Sequence, residues 1–249
     1  TSTVLVPYVA YWPGSVRPLP KLGVLEDAQV EALVALKPDL VLLTGSPRLA
    51  TRLQSLGVAV AVLEPRNLAD TRRVLARVAT LLGDAAAAEP AWRALDERIE
   101  QAARRVPSPW RGQRAYVEVA STPHAAGEAS FVGELLARLG LRNVVPAALG
   151  PFPQLAPEAV LQAQPDLVVA TRAAVASMGS RPGWRGLAAL RQGRTCGLAP
   201  GPWDTLVRPG PRLGEAALAL ADCLEKLPPP DTAGAVATPQ GIPPGRGTP

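Results

Sequence analysis

Histidine occurs once in this sequence of 249 residues, cysteine twice, lysine three times, and aromatic residues make up only 4%. Each shortage excludes something. One histidine cannot build a bare zinc or manganese site, which draws on several His and carboxylate ligands. The two cysteines, Cys196 and Cys223, fit no CxxC or zinc spacing. A disulfide in an oxidising compartment and a pair of buried thiols both stay open for them. With lysine only at Lys21, Lys37 and Lys226, the net charge of +5 and pI near 9.8 rest on arginines scattered among acids and apolar residues. No basic block with interleaved aromatics is present, which argues against a nucleic-acid partner. No apolar run reaches the ~18 residues of a membrane span, so no membrane insertion is expected. P-loop, GxGxxG, HExxH and GxSxG signatures are also missing where they would carry chemistry, so the chain is not expected to be an enzyme.

What is present is a globular composition, 47% hydrophobic and 19% charged. A chain of this size buries roughly 70% of its unfolded surface, enough for one large domain or two small ones. The stretch EALVALKPDLVLLT, Glu31 to Thr44, returns as EAVLQAQPDLVVAT, Glu158 to Thr171, with seven of fourteen positions identical at an offset of 127 residues. That period is too long for a solenoid, whose repeats run roughly 20 to 50 residues. It suits two lobes of similar build. In each copy, helix formers with apolar residues three to four apart lead to a proline. Pro38 ends the first helix and is expected to push Lys37 into extended geometry. The run Leu40 to Leu43 then reads as a strand buried on both faces, as does Leu167 to Ala170 after Pro165 and Asp166.

The remaining pattern alternates in the same way. A helix over 49–56 closes at Gly57, a strand follows over 58–63, and a third helix, capped by Asn67 or Asp70, runs to Leu82 and Gly83. The alanine-rich stretch 84–106 shows no strand. It carries acids early and Arg104 and Arg105 late, which suits the helix dipole. A helix of that length spans about 30 Å, enough to bridge two small lobes. A strand over 114–120, a loop over 121–129, a helix over 130–139, the second repeat copy, a short helix near 187–191, a strand over 195–198 and a helix over 212–227 complete the pattern. The layout is an N-terminal α/β lobe (1–83), a connecting helix (84–106), a C-terminal α/β lobe (107–227) and a Pro/Gly-rich disordered tail (228–249).

These segments resemble those of the helical-backbone (class III) substrate-binding proteins of ABC importers, which capture vitamin B12, ferric siderophores and haem. VEALVALKPDLVLL and PEAVLQAQPDLVVA are similar to the family's two "E…ALKPDLV" segments. SFVGELLARLGLRNVV, GPFPQLAPEAV, RPGWRGLAALRQGR and RPGPRLGEAALALA resemble its second-lobe and closing patterns, so the likeness covers roughly residues 8 to 227. The resemblance implies two Rossmann-like lobes with parallel sheets, joined by one long helix that permits only slight closure. The ligand would sit in a cleft at the loop ends of the strands. The family's usual first strand and helix have no counterpart before Thr1, so the N-terminal lobe as it stands in this chain lacks them, and both a truncated chain and an abbreviated lobe stay open. The resemblance further implies a monomer exported to the periplasm or cell surface, its signal segment not part of this chain. Such a protein has no intrinsic cofactor and delivers its ligand to a permease and its ATPase.

The site residues follow from matching positions. PYVAYWPG contributes Tyr8, Tyr11 and Trp12; STPHAAG contributes His124; GPFPQ contributes Phe152; and the loop GPWDTLVRPG contributes Trp203, Asp204 and Arg208. Leu25 and Thr44 stand where cobalamin binders of the family carry tryptophan. Aromatic residues in loops offer faces for a large, flat, partly apolar ring. His124 is either a satisfied polar residue or an axial ligand to cobalt or iron. Arg208 and Arg212 either pair with anionic ligand groups or support the last helix. Glu31 and Glu158, one per repeat copy, match the acids that dock on the permease. An acid in a helix's first turn also gains ~0.3–1 kcal/mol from the dipole without any partner. Aromatic walls with few charges favour cobalamin, with haem or a ferric siderophore as alternatives.

Overall fold

The computed structural model describes residues 27–120 and 123–230. Tyr8, Tyr11, Trp12, Leu25 and residues 231–249 of the expected tail lie outside the described residues. The chain divides into two compact units at Glu64/Pro65.

In the first unit, α1 (Asp27–Ala35) leads into β1 (Val41–Leu43), followed by α2 (Pro47–Ser55) and β2 (Val60–Val62). The two strands pair in parallel with Val41 opposite Val60. Leu33, Leu43 and Leu53 close a small core between helices and strands. Pro47 occupies the first turn of α2, where a missing N–H costs nothing, and Gly57 leaves it with φ +80. Two expectations fail here. Lys37 is not extended but left-handed, with φ +48. Leu42 and Val62 are exposed, so β1 and β2 are not buried on both faces.

The second unit opens with α3 (Leu68–Leu81). Asn67 caps it by accepting from the Asp70 backbone N–H at 2.8 Å, and the Glu134 carboxylate accepts from Leu68 N–H at 2.6 Å. Two of the helix's unpaired first-turn donors are thereby satisfied. A 3-10 turn over 85–87 precedes α4 (Ala88–Arg105), and the sheet begins with β3 (Arg114–Ala120). The elements that follow are β4 (His124–Ala125), α5 (Phe131–Arg138), β5 (Arg142–Asn143), α6 (Pro157–Ala163), β6 (Leu167–Thr171) and α7 (Arg172–Met178). The unit ends with α8 (Ala188–Arg191), β7 (Thr195–Leu198), α9 (Pro200–Leu206) and α10 (Leu213–Lys226). The strand order is β4-β3-β6-β7, and β5 pairs with the start of β3. β5, β6 and β7 run parallel to their neighbours, and β4 alone is antiparallel.

Alternation along β3 and β6 explains why this sheet has helices on both faces. Ala115, Val117, Leu167 and Val169 join Leu95, Ile99, Leu136 and Leu220 in one core, formed with α4, α5 and α10. Tyr116, Val168 and Ala170 point the other way, into a core with Val160, Met178 and Trp184. α4 and α10 approach so closely that a Cβ at Gly214 would stand 2.8 Å from the Leu95 carbonyl oxygen. Cys196 of β7 and Cys223 of α10 form a disulfide, which settles the alternative left open by the sequence. Asp166, in the Pro-Asp turn of the second repeat copy, accepts from the Arg114 backbone N–H at 2.9 Å and fixes the start of β3 beside β6.

Candidate functional site

The parity of β3 decides where its chemistry goes. Glu118 shares a face with Tyr116, near the carboxyl end of the strand, and is 2% exposed. A buried carboxylate demands partners. Arg181, 63 residues further on, supplies them: its guanidinium donates to both carboxylate oxygens, at 2.6 and 2.7 Å. The Tyr116 hydroxyl adds a third donor at 3.2 Å. The guanidinium also lies over the Trp184 ring, 4.6 Å from its centroid, and Tyr116 meets Trp184 edge-on at 6.1 Å. Arg181 is therefore held by two points in its own plane and by one ring face.

This cluster forms one wall of a cavity of about 300 Å³ at the carboxyl ends of β3 and β6. Carboxyl ends of parallel strands are where open α/β sheets bind ligands. Glu118, Val119 and Ala120 come from β3, Thr171 from the end of β6, Ala173, Ala174 and Ser177 from α7, Arg181 from the segment after it, and Trp203 from α9. The Thr171 hydroxyl caps α7 by accepting from Ala174 N–H at 3.1 Å. Among these residues only Glu118 and Arg181 are ionisable, and they neutralise each other. Hydrogen bonding to Glu118 raises the Arg181 guanidinium above its ordinary pKa, against the opposing effect of burial. Burial first, and then the Glu118 charge, push the Tyr116 phenol well above its usual range. The result is a net-neutral, partly apolar wall with an indole on one side.

Of the residues picked out from sequence, Trp203 lines this cavity. Trp203 and Asp204 lie on α9 rather than in a loop, because Pro200 begins a helix there instead of breaking one. Asp204 and Arg208 form an ion pair at 3.9 Å, each about half exposed. Arg212 donates to Glu215 at 2.6 and 2.9 Å, within the start of α10. His124 sits in β4, opposite Ala120 and bridged to Gln154. Phe152 is 37% exposed, its ring 5.6 Å from that of buried Phe131. Thr44 is exposed directly after β1, in the first unit. Glu158 occupies the first turn of α6 and is exposed. Glu31 lies mid-way along α1, not in its first turn, and its side chain is 76% exposed. Among the described residues no three His, Cys, Asp or Glu side chains gather as a metal site.

Sequence reasoning missed Glu118 and Arg181. An acid at an inward position of an otherwise apolar strand is a signal that could have flagged the first. The second is distant in sequence, and no local spacing announces it.

The profile of periplasmic binding proteins matches residues 7–200. The chain belongs to this family. Among curated relatives, a cobalamin-binding protein of Halobacterium salinarum is 29% identical over 153 residues, 59% of this chain. The match spans only 41% of that relative's length. Among solved structures, the periplasmic heme-binding protein RhuT from Roseiflexus sp. RS-1 has a TM-score of 0.72 and 25% identity, covering 89% of each chain. The vitamin B12 binding protein BtuF of Vibrio cholerae has a TM-score of 0.69 at 20% identity, covering 89% of this chain and 88% of its own, a likeness of fold. Like these binding proteins, the chain has an α/β fold with mostly parallel strands, and no helix among its described residues is long and apolar enough to cross a membrane.

Proposed function

We propose that this chain is the extracytoplasmic substrate-binding component of an ABC importer, that it captures cobalamin or a related corrinoid, and that it hands the ligand to a membrane permease and its ATPase. The observation that carries the ligand choice is the self-neutralised cavity wall, in which Glu118 and Arg181 cancel beside the Trp203 indole. A corrinoid is a large macrocycle ringed by carboxamides and largely uncharged. A net-neutral wall with an aromatic face suits it better than it suits a polyanionic siderophore complex, which asks for uncancelled cations. The cavity's ~300 Å³ lies at the small end of ligand pockets, roughly 300–1,000 Å³, so it would take one edge of such a ligand rather than the whole. The cobalamin-binding relative supports the same choice.

In this reading Tyr8, Tyr11, Trp12, Leu25, Thr44, His124, Phe152, Asp204 and Arg208 are ligand contacts as well as Trp203, and His124 is the contact proposed for a ligand's metal centre. Glu31 and Glu158 are the permease-docking acids; both are exposed, as docking requires.

A second reading, haem, is favoured by the 25% identity to the heme-binding RhuT. An absorbance titration of the purified protein with cyanocobalamin, haemin and a ferric siderophore separates the readings. A micromolar or tighter response to cyanocobalamin alone is the expected result. A response to haemin alone, with none to cyanocobalamin, overturns the corrinoid assignment in favour of the second reading.

A further inference from the structure

Arg181 was not among the residues that sequence picked out, and its surroundings go further than a structural ion pair. It donates to both oxygens of Glu118, yet a guanidinium carries more N–H groups than those two bonds occupy. Glu118 is sealed from solvent, with a side chain 1% exposed, whereas the Arg181 side chain is 22% exposed and lines the cavity. Both residues line the cavity, and Arg181 presents the more exposed side chain of the two. Tyr116 and Trp184 fix the pair, so a ligand meets a positioned guanidinium whose charge Glu118 balances.

Resting on the corrinoid reading, we infer that Arg181 is a specificity-determining contact that accepts neutral carbonyl groups, the peripheral carboxamides of the ligand, and rejects carboxylates, with Glu118 as the positioning residue that sets this preference. A carboxamide oxygen takes an Arg181 N–H at little cost. A carboxylate in the same place must be stripped of water and brought beside the Glu118 charge, which repels it about as strongly as Arg181 attracts it. Remove the Glu118 charge and the same guanidinium prefers the anion.

The test uses three ligands that differ at one group: cyanocobalamin, a derivative with one peripheral propionamide hydrolysed to the acid, and the methyl ester of that acid. Each positional isomer of the acid is measured by equilibrium titration against the wild-type protein and the Glu118→Gln and Arg181→Met variants, with circular dichroism reporting the fold. For the wild type, one acid isomer binds at least tenfold more weakly than cyanocobalamin, and its ester returns to within about threefold of cyanocobalamin. Glu118→Gln narrows the acid penalty below about threefold or reverses it. Arg181→Met weakens cyanocobalamin about tenfold. The wild-type ligand series stands without either variant if one fails to fold. Equal binding of all acid isomers, or an ester that binds as poorly as its acid, overturns the inference while leaving the corrinoid reading intact. Failure of the wild type to bind cyanocobalamin at all overturns both.

Discussion

Lys37 and Gln164, 127 positions apart at matching places in the repeated segment, share one unusual backbone state, with φ of +48 and +41. Among the described residues they are the only non-glycine positions with positive φ. Each ends a helix directly before a proline. Lys37 N–H reaches the Val34 carbonyl at 3.0 Å, and Gln164 N–H reaches that of Val160 at 3.2 Å. The left-handed residue reverses the chain out of the helix so that Pro-Asp can start the strand, a turn usually given to glycine. The repeat is thus kept in backbone geometry as well as in residue identity.

That geometry is strained for a side chain. Lys37 is exposed and sits at the C-terminus of α1, so replacing it removes no core contact. Lys37→Gly is expected to raise stability by about 0.5–1 kcal/mol, and the β-branched Lys37→Val to lower it by about 1 kcal/mol. Hydrogen exchange of the amides in α1 and β1 measures both; protection that falls in the glycine variant would contradict the assignment.

The Glu118–Arg181 pair makes a prediction about asymmetry. Arg181→Ala strands a carboxylate whose side chain is 1% exposed and should cost about 3 kcal/mol or more. Replacing both partners, as Glu118→Leu with Arg181→Met, should cost far less than the single change. Urea unfolding of the two singles and the double closes the cycle, and additive losses would show the pair to be uncoupled.

Alkaline pH should unfold the protein partly through Tyr116. Its folded pKa lies above the ordinary value of 10.0, so above that pH the unfolded chain releases a proton that the folded one keeps. Stability is therefore full below about pH 10 and is lost as pH rises, by up to roughly 1.4 kcal/mol per pH unit. Tyr116→Phe loses a hydrogen bond worth about 1 kcal/mol at neutral pH but escapes this alkaline loss. Between pH 9 and pH 11, wild type should lose about 1 kcal/mol more than the variant in urea melts.

Gly214 tests the α4–α10 contact. A Cβ there would lie 2.6 Å from that of Arg98 and 2.8 Å from the Leu95 carbonyl. Gly214→Ala is expected to cost about 2 kcal/mol by forcing two helices apart, although alanine is the better helix former. Gly210→Ala, where nothing lies within 4 Å, is the control and should stay within about 0.5 kcal/mol. Thermal unfolding of both variants makes the comparison.

The docking role proposed for Glu31 and Glu158 is checked by charge reversal. The double variant Glu31→Arg, Glu158→Arg should leave ligand affinity within about twofold of wild type, because neither side chain lines the cavity. Permease-dependent uptake by cells or vesicles should be abolished. Uptake that proceeds unchanged overturns the docking role and leaves Glu158 to the dipole of α6 and Glu31 to its ion pair with Arg52.

Much of this architecture was legible because prolines and glycines punctuate it. The bounds of β3 and β7 follow directly from their apolar runs, and Ser130, Asn67 and Gly57 close or open helices as their chemistry suggests. β4 and β5, two residues each, are too short to show any alternation. α9 was hidden by Pro200 and Pro202, which read as loop although a first helical turn accepts them. Lys37 was misjudged because proline disfavours the right-handed helix for its predecessor but leaves the left-handed turn open. Of the candidate site, Trp203 could be picked from its aromatic character. The partner of Glu118 could not, since only the folded sheet and α7 bring residue 181 beside residue 118.

Among the described residues β7 lies at one edge of the larger sheet, and it is tied covalently to α10 through Cys196. An outer strand with unsatisfied amides is a template onto which other chains can add. Because Cys223 anchors the helix to that strand, fraying there is penalised for as long as the sulfurs stay joined. A reducing milieu would strip this guard and leave β7 open to intermolecular pairing, so recombinant protein made without oxidation should aggregate along that edge before it loses the rest of its structure.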